Sequence, residues 1–137
     1  TIKCIPTTPL CPKHRLAYID FMKAWLEGGG RVLCVSTTLI EGGINISFPA
    51  VVRSLAGIPS IVQAGGRCNR NMERESGNVY IWEFQEEALK NLAEIENGKS
   101  CTRKLYHEAP ENFEALCKPS GIYRYFGVEQ SYTKKAE

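Results

Sequence analysis

Two arginines three residues apart, Arg67 and Arg70, are the residues in this sequence whose type and spacing best suit a chemical role. Arginine keeps its charge at physiological pH and binds phosphate oxygens through two parallel N–H donors, so such a pair can brace a phosphoryl group during transfer. If the predicted helix that precedes them persists, both guanidinium groups lie on one face of it. The adjacent Gly65 and Gly66 allow close approach of the backbone to a ligand. The alternative is a solvated basic turn that pairs with glutamates just downstream.

Short hydroxyl side chains follow two predicted strands. Thr7 and Thr8 follow the first strand, and Thr37 and Thr38 follow the second. Ligands of open α/β sheets bind beyond the carboxyl ends of the strands, where hydroxyls and exposed backbone N–H groups can contact phosphate oxygens. The alternative is that these residues cap the helices that come next.

The composition is that of an ordinary globular domain. The 137 residues are 43% hydrophobic, and 17 Lys and Arg against 15 Asp and Glu give a net charge of only +2. This balance excludes a polybasic nucleic-acid module, because the binding of such a module depends on a large charge excess. No apolar run is long enough for a membrane span. The six cysteines form no C-x-x-C pair, so we expect free thiols in a reducing cytoplasm and no metal site.

Strand and helix patterns alternate along the chain, which predicts an α/β fold: a layered domain with a mostly parallel sheet flanked by helices. The strands at 31–36 and 79–84 are apolar on both faces, as central strands are. Two short helices are expected near Phe113 and Tyr125. The remaining predicted elements are strands at 1–5 and 50–54 and helices from Pro12 to Gly28, from Pro59 to about Cys68 and from Ala88 to Gly98.

Residues 36–70, STTLIEGGINISFPAVVRSLAGIPSIVQAGGRCNR, resemble motifs V and VI of superfamily 2 helicases, in the form carried by the CRISPR-associated helicase–nuclease of type I systems. Residues 7–15, TTPLCPKHR, are similar to the segment before motif V in that family. Residues 77–84 and 119–126 resemble segments that follow motif VI. The resemblance therefore extends over nearly the whole chain.

This resemblance implies a domain organisation. Residues 1–99 are expected to form part of the second RecA-like helicase domain, truncated at its N-terminal edge, because no strand–helix unit with motif IV precedes Thr1. Residues 100–137 are expected to form a helical extension that leads toward an accessory domain.

The resemblance also implies roles for individual residues. Arg67 and Arg70 match the arginine fingers of motif VI, which act on the γ-phosphate. Asn45 stands where an aspartate usually meets the ribose, and an amide can still accept a hydrogen bond from a hydroxyl. The expected nucleotide-binding residues are Gln63, Gly43, Asn45 and Gly66, and the expected contacts to the nucleic-acid backbone are Thr37, Thr38, Thr7 and Thr8.

The function implied is that of an ATP-dependent single-stranded DNA translocase. The sequence contains no G-x-x-x-x-G-K-[ST] phosphate loop, so ATP and Mg²⁺ are expected to be held mainly by a first RecA-like domain, and the isolated chain is expected to be inactive. The implied partners are that upstream domain, single-stranded DNA and the CRISPR surveillance complex, with no membrane. The alternative is a non-enzymatic helicase-like module that binds the surveillance complex or the helicase partner.

Overall fold

The computed structural model describes residues 2–6, 12–36, 45–84, 93–108, 110 and 113–133. The chain divides into two units, Thr1–Ile46 and Ser47–Glu137, which are described separately. The described elements are, in order, β1 (Ile2–Pro6), α1 (Pro12–Glu27), β2 (Arg31–Val35), β3 (Ala50–Ser54), α2 (Ile58–Gly65), β4 (Asn78–Trp82), α3 (Ala93–Glu108), α4 (Phe113–Leu116) and α5 (Pro119–Thr133).

The first unit is a strand–helix–strand unit in which α1 connects two parallel strands. β1 and β2 pair in register from Ile2 with Arg31 to Pro6 with Val35. Helix α1 buries Ile19 and Met22 and ends before a turn in which Gly29 has a φ of 77°. Because side-chain-bearing residues rarely adopt this conformation, the glycines at 28–30 end the helix as predicted.

The second unit begins with another strand–helix–strand unit. β3 and β4 are parallel, with Ala50 opposite Asn78 and Ser54 opposite Trp82. Helix α2 starts with a proline near its N-terminus, where the missing N–H has no helical partner to lose. The guanidinium of Arg53 on β3 donates to Ser60 Oγ at 2.9 Å, which connects the strand to this helix.

Helices α3, α4 and α5 pack in this second unit and share its core. The Thr102 hydroxyl on α3 donates to the Ala56 carbonyl at 2.8 Å, in the loop between β3 and α2. That buried bond satisfies two polar groups that would be costly to leave unpaired. The core cluster joins four helices and consists of Ile58, Cys101, Leu105, Leu116 and Tyr125.

Gly98 does not end a helix, contrary to the sequence prediction, because α3 continues from Ala93 to Glu108. Its role is close packing: a Cβ at this position would lie 3.2 Å from the Gly57 backbone nitrogen and 3.2 Å from Tyr125 Oη. The Tyr125 hydroxyl donates to Glu129 at 2.8 Å. Burial and, to a lesser degree, the bond to Glu129 raise the pKa of Tyr125, so this hydroxyl remains a donor.

The α/β fold class and the parallel strand pairing are confirmed, with the described strands forming two two-stranded sheets, one in each unit. The burial predicted for the central strands is wrong. Leu33 and Val35 on β2 are each 55% exposed, and β4 is largely exposed as well. In the described part of the chain each of these strands has one strand partner, so burial on both faces, typical of a central strand, is not reached.

No helix in the described residues is long and apolar enough to cross a membrane. The predicted boundary between residues 99 and 100 falls within α3. The division into a RecA-like domain and a helical extension stays a prediction.

Two glycines of α5 predict opposite effects of added bulk on stability. A Cβ at Gly121 would lie 2.4 Å from Leu116 Cα and 2.4 Å from its carbonyl oxygen, whereas a Cβ at Gly127 meets nothing within 4 Å. We expect Gly121→Ala to lower the free energy of unfolding by about 2 kcal/mol through overpacking. We expect Gly127→Ala to raise it by up to about 1 kcal/mol, because alanine favours the helix. Urea denaturation monitored by circular dichroism measures both, and equal effects would contradict this packing.

Candidate functional site

The two arginines lie in a turn beyond the end of α2, so the helix predicted to about Cys68 ends earlier and does not persist through them. Helix α2 ends at Gly65, and Gly66 caps it with a φ of −64°. The backbone then makes tight turns, with Arg67 N–H donating to the Ala64 carbonyl at 3.0 Å and Cys68 N–H to the Gly65 carbonyl at 2.8 Å. Two successive glycines favour an end to the helix here, because glycine is a poor helix former.

The chain after the helix bonds to the segment that leads into β3. Phe48 and Cys68 form a parallel bridge, in which Phe48 N–H donates to the Arg67 carbonyl at 2.8 Å and its carbonyl accepts from Asn69 N–H at 2.8 Å. The Cys68 thiol donates to the Asn78 carbonyl at 3.3 Å, at the start of β4. The backbone on either side of Cys68 is therefore held by the sheet, and this is the physical reason why the helix does not continue.

The side chains of the two arginines have different environments. Arg67 is only 9% exposed, and its Nη1 atom has almost no contact with solvent. Arg70 is exposed, and its Nη1 donates to the Gly66 carbonyl at 3.2 Å, across the C-terminal end of α2. Burial and, second, the positive charge of Arg70 lower the pKa of Arg67. Two cationic groups are thus held close together, one fixed by burial and the other at the surface.

The turn after Arg70 is closed by an asparagine. Asn69 has a φ of 47°, and its side chain makes two hydrogen bonds to the backbone of Arg74, with Nδ2 donating to the carbonyl at 2.7 Å and Oδ1 accepting from the N–H at 3.0 Å. Asn71 N–H donates to Ser47 Oγ at 3.4 Å. The signal for this role is in the sequence, since asparagine adopts positive φ more readily than most residues, but we did not predict it.

Gly77 closely approaches residues 68–69 of this turn. A Cβ at Gly77 would lie 2.6 Å from Cys68 Sγ and 2.9 Å from Asn69 Cβ, so only glycine fits there without a shift of residues 68–69. Gly77 and Asn69 were both absent from the predicted site. We call residues 67–74 the arginine turn. Phe48 and Gly77 support it but are not part of it.

Three of the predicted site residues lie close to Arg70 along the chain: Gln63, Gly66 and Arg67. Gln63 is exposed on the last turn of α2, and Gly66 and Arg67 follow just after the end of that helix at Gly65. Asn45 is exposed and belongs to the first unit. The remaining predicted residues lie outside the described residues, and their roles stay predictions: Thr7, Thr8, Thr37, Thr38 and Gly43.

A separate cavity of about 370 Å³ lies where β3 and β4 end, which is where the strand-end rule predicts ligands. Its lining combines the apolar side chains of Leu55, Ile81 and Phe113 with polar and charged ones, among them Thr102 and His107. Glu83 and Arg103 form an ion pair at its edge. Its lining, as far as the structure describes it, includes none of the residues predicted to contact nucleotide or DNA.

The described residues contain no cluster of three His, Cys, Asp or Glu side chains that could hold a metal ion. The arginine turn supplies cationic groups: the guanidinium groups of Arg67, Arg70 and Arg74, with the amide of Gln63 nearby in sequence. Such a donor set suits an anion with several oxygens, such as a phosphate group.

Comparisons with known proteins show what this part of the chain is similar to. Residues 12–73 match the family model described as "CRISPR-associated nuclease/helicase Cas3, C-terminal", a range that includes the whole of α2 and most of the arginine turn. The chain is 52% identical over 50 residues to the "CRISPR-associated nuclease/helicase Cas3" of Haloferax volcanii. That match covers 35% of this chain and 5% of the relative.

A solved structure, "Crystal structure of T. fusca Cas3-ADP", matches 98% of this chain and 19% of its own, with a TM-score of 0.58 and 10% sequence identity. At this sequence identity the match is evidence for the fold alone. The chain thus spans a small part of the length of the proteins that it matches. Taken with the parallel strand–helix–strand units and the arginines that follow α2, these matches show that the chain is similar to part of the C-terminal region of Cas3, the CRISPR-associated nuclease/helicase, and they support its identification as a fragment of that region.

Proposed function

We propose that this chain supplies the second RecA-like half of an ATP-dependent single-stranded DNA translocase. In this proposal Arg67 and Arg70 reach the γ-phosphate of an ATP molecule held mainly by a first RecA-like domain with a phosphate loop. The observation that carries the proposal is the arginine turn itself. It holds one arginine in a buried position and a second one at the surface, directly after a helix that carries Gln63.

The electrostatics of the turn favour an anionic ligand. The pKa of Arg67 is lowered by burial and by the charge of Arg70, which means that the charged form of Arg67 is less favourable here than in water. The group stays protonated at physiological pH, since arginine has a very high pKa. A phosphate group placed between the two guanidinium groups would offset both the burial and the repulsion. The proximity of two cations, one of them buried, is the basis on which we propose an anion site here.

The two arginines are suited to different tasks. Arg67 is fixed by burial, and its backbone is held by Phe48, so it loses little conformational freedom when a phosphate binds. Arg70 lies at the surface, and its hydrogen bond to the Gly66 carbonyl is exposed, so it could be exchanged for a contact with the ligand. Such an exposed bond contributes only about 1 kcal/mol. We propose that Arg67 binds the nucleotide and that Arg70 stabilises the charge that develops during phosphoryl transfer.

The rest of the function follows the same proposal. ATP would bind between two RecA-like domains, with Mg²⁺ held by the first of them, and Gln63 and Asn45 would contribute nucleotide contacts. Thr37, Thr38, Thr7 and Thr8 would contact the phosphates of single-stranded DNA, which suits tracking without sequence preference. The CRISPR surveillance complex would deliver the DNA. The name of the solved structure includes ADP, which supports a nucleotide as the ligand of the intact enzyme.

Substitution of Arg70 tests the catalytic role. In a protein that joins this chain to a phosphate-loop domain, we expect Arg70→Ala to lower kcat for ATP hydrolysis by about two orders of magnitude or more, because the finger's charge is lost from the transition state. The matched control is Arg74→Ala, which removes the same charge from the same turn while the backbone contacts of residue 74 remain.

The outcomes separate the two functional hypotheses. Unchanged kcat in Arg70→Ala would refute the finger assignment. Failure of every joined form to hydrolyse ATP would instead support the non-enzymatic module that binds the surveillance complex or the helicase partner. We expect the isolated chain to hydrolyse no ATP in either case.

Substitution of Thr37 tests the DNA contacts. We expect Thr37→Ala in the joined protein to weaken single-stranded DNA binding about five-fold, the effect of losing one hydrogen bond to a phosphate. ATP hydrolysis without DNA should stay within two-fold (~0.4 kcal/mol) of the parent. Fluorescence anisotropy with a labelled oligonucleotide measures the affinity, and Ser131→Ala on α5 is the control. Equal affinities for all three proteins would contradict the assignment.

A further inference from the structure

Asn69 controls the direction in which the chain reaches Arg70. Its φ of 47° lies in the left-handed region, where most residues are strained by roughly 1 kcal/mol or more but asparagine is tolerated. The chain therefore turns at residue 69 in a direction that an extended or right-handed helical conformation of this residue would not produce, and Arg70 follows in that direction. The conformation of this one residue therefore sets where the Arg70 side chain begins.

The Asn69 side chain maintains that conformation. Its Nδ2 atom donates to the Arg74 carbonyl at 2.7 Å, and its Oδ1 atom accepts from the Arg74 N–H at 3.0 Å. The pair of bonds closes residues 69–74 into a loop, and Met72 N–H adds a backbone bond to the Asn69 carbonyl at 2.9 Å. Arg70 is inside this closed loop, so these bonds limit how far its backbone can be displaced.

The base of the loop is held from two further sides. The Phe48 carbonyl accepts from Asn69 N–H at 2.8 Å. On another side, Gly77 lies so close that a Cβ there would be 2.9 Å from Asn69 Cβ. The backbone of Asn69 is thus fixed by its bond to Phe48, and its side chain, through the two bonds to Arg74, holds the loop against this fixed backbone.

We propose that Asn69 is a positioning residue for Arg70: its side chain holds the loop at residues 69–74 closed, so that the Arg70 guanidinium starts from one position when it engages the γ-phosphate. This inference rests on the proposed function of Arg70. Asn69 itself touches no reacting atom. Its contribution is to reduce the conformational freedom that Arg70 loses on reaching the transition state.

Replacement of Asn69 by glycine in the joined protein tests the inference. Asn69→Gly still permits the positive φ but removes both side-chain bonds. We expect kcat for ATP hydrolysis to fall about ten-fold, while KM for ATP stays within two-fold, because loss of positioning acts on the transition state and not on ground-state binding. The matched control is Asn71→Ala, an asparagine in the same loop whose side chain bonds to exposed Glu73. This control should keep the parent kcat.

A double-variant cycle shows whether Asn69 acts through Arg70. If it does, Asn69→Gly combined with Arg70→Ala should be no slower than Arg70→Ala alone, since the side chain that Asn69 positions is already absent. If Asn69→Gly lowers kcat by the same factor in the Arg70→Ala background as in the parent, the inference is overturned. An unchanged kcat in Asn69→Gly would also overturn it. If Arg70→Ala keeps full activity, the proposed function fails first and the inference falls with it. If Arg70→Ala is slow but Asn69→Gly is not, the inference alone fails.

A second variant covers the case in which Asn69→Gly does not fold. Gly77→Ala places a methyl group 2.6 Å from Cys68 Sγ and 2.9 Å from Asn69 Cβ, so residues 68–69 must move. We expect the same selective loss of kcat, with the unfolding temperature measured in parallel. Gly127→Ala is its control, because a Cβ there meets nothing within 4 Å. A Gly77→Ala protein that is folded and has the parent kcat would overturn the inference.

Discussion

The short parallel bridge between Phe48 and Cys68 determines the position of both arginines. Phe48, in the segment that leads into β3, bonds to the residues on both sides of Cys68: its N–H donates to the Arg67 carbonyl, and its carbonyl accepts from Asn69 N–H. Hydrogen bonds of this kind fix backbone but carry no specificity of their own. Their effect here is that the chain beyond α2 cannot continue as a helix, so that Arg67 is directed inward and Arg70 outward.

The elements around this bridge account for its stability. Parallel pairing of β3 with β4 needs a crossover connection, and α2 together with the arginine turn provides it. The packing of α3 and α5 near Gly57 and Gly98, with Tyr125 between them, fixes the start of α2. Close contact of small residues at one end of the helix therefore supports the cationic turn at its other end. This arrangement connects the helical region beyond residue 93 to the candidate site through α2.

Much of the fold could be predicted from local patterns. The bounds of β3 and the end of α1 follow from apolar runs and from glycine and proline, whose effects on the backbone are local. The continuation of α3 through Gly98 could not be predicted, because the contact of Gly98 with Gly57 is distant in sequence. The end of α2 has a local signal in Gly65 and Gly66, but the hydrogen bonds to Phe48 that fix the chain beyond it are distant in sequence. The importance of Arg67 and Arg70 was clear from their type and the motif around them. Their unequal burial and the role of Asn69 arise only from tertiary contacts.

The most direct test of the account is the affinity of the joined protein for two ligands, ADP and ADP with aluminium fluoride, which mimics the phosphoryl group in transit. Because interactions made only in the transition state leave product binding unchanged, Arg70→Ala should bind ADP like the parent and bind the fluoride complex about 100-fold more weakly. Equal affinities of parent and variant for the fluoride complex would contradict the claim that this arginine turn acts on the γ-phosphate.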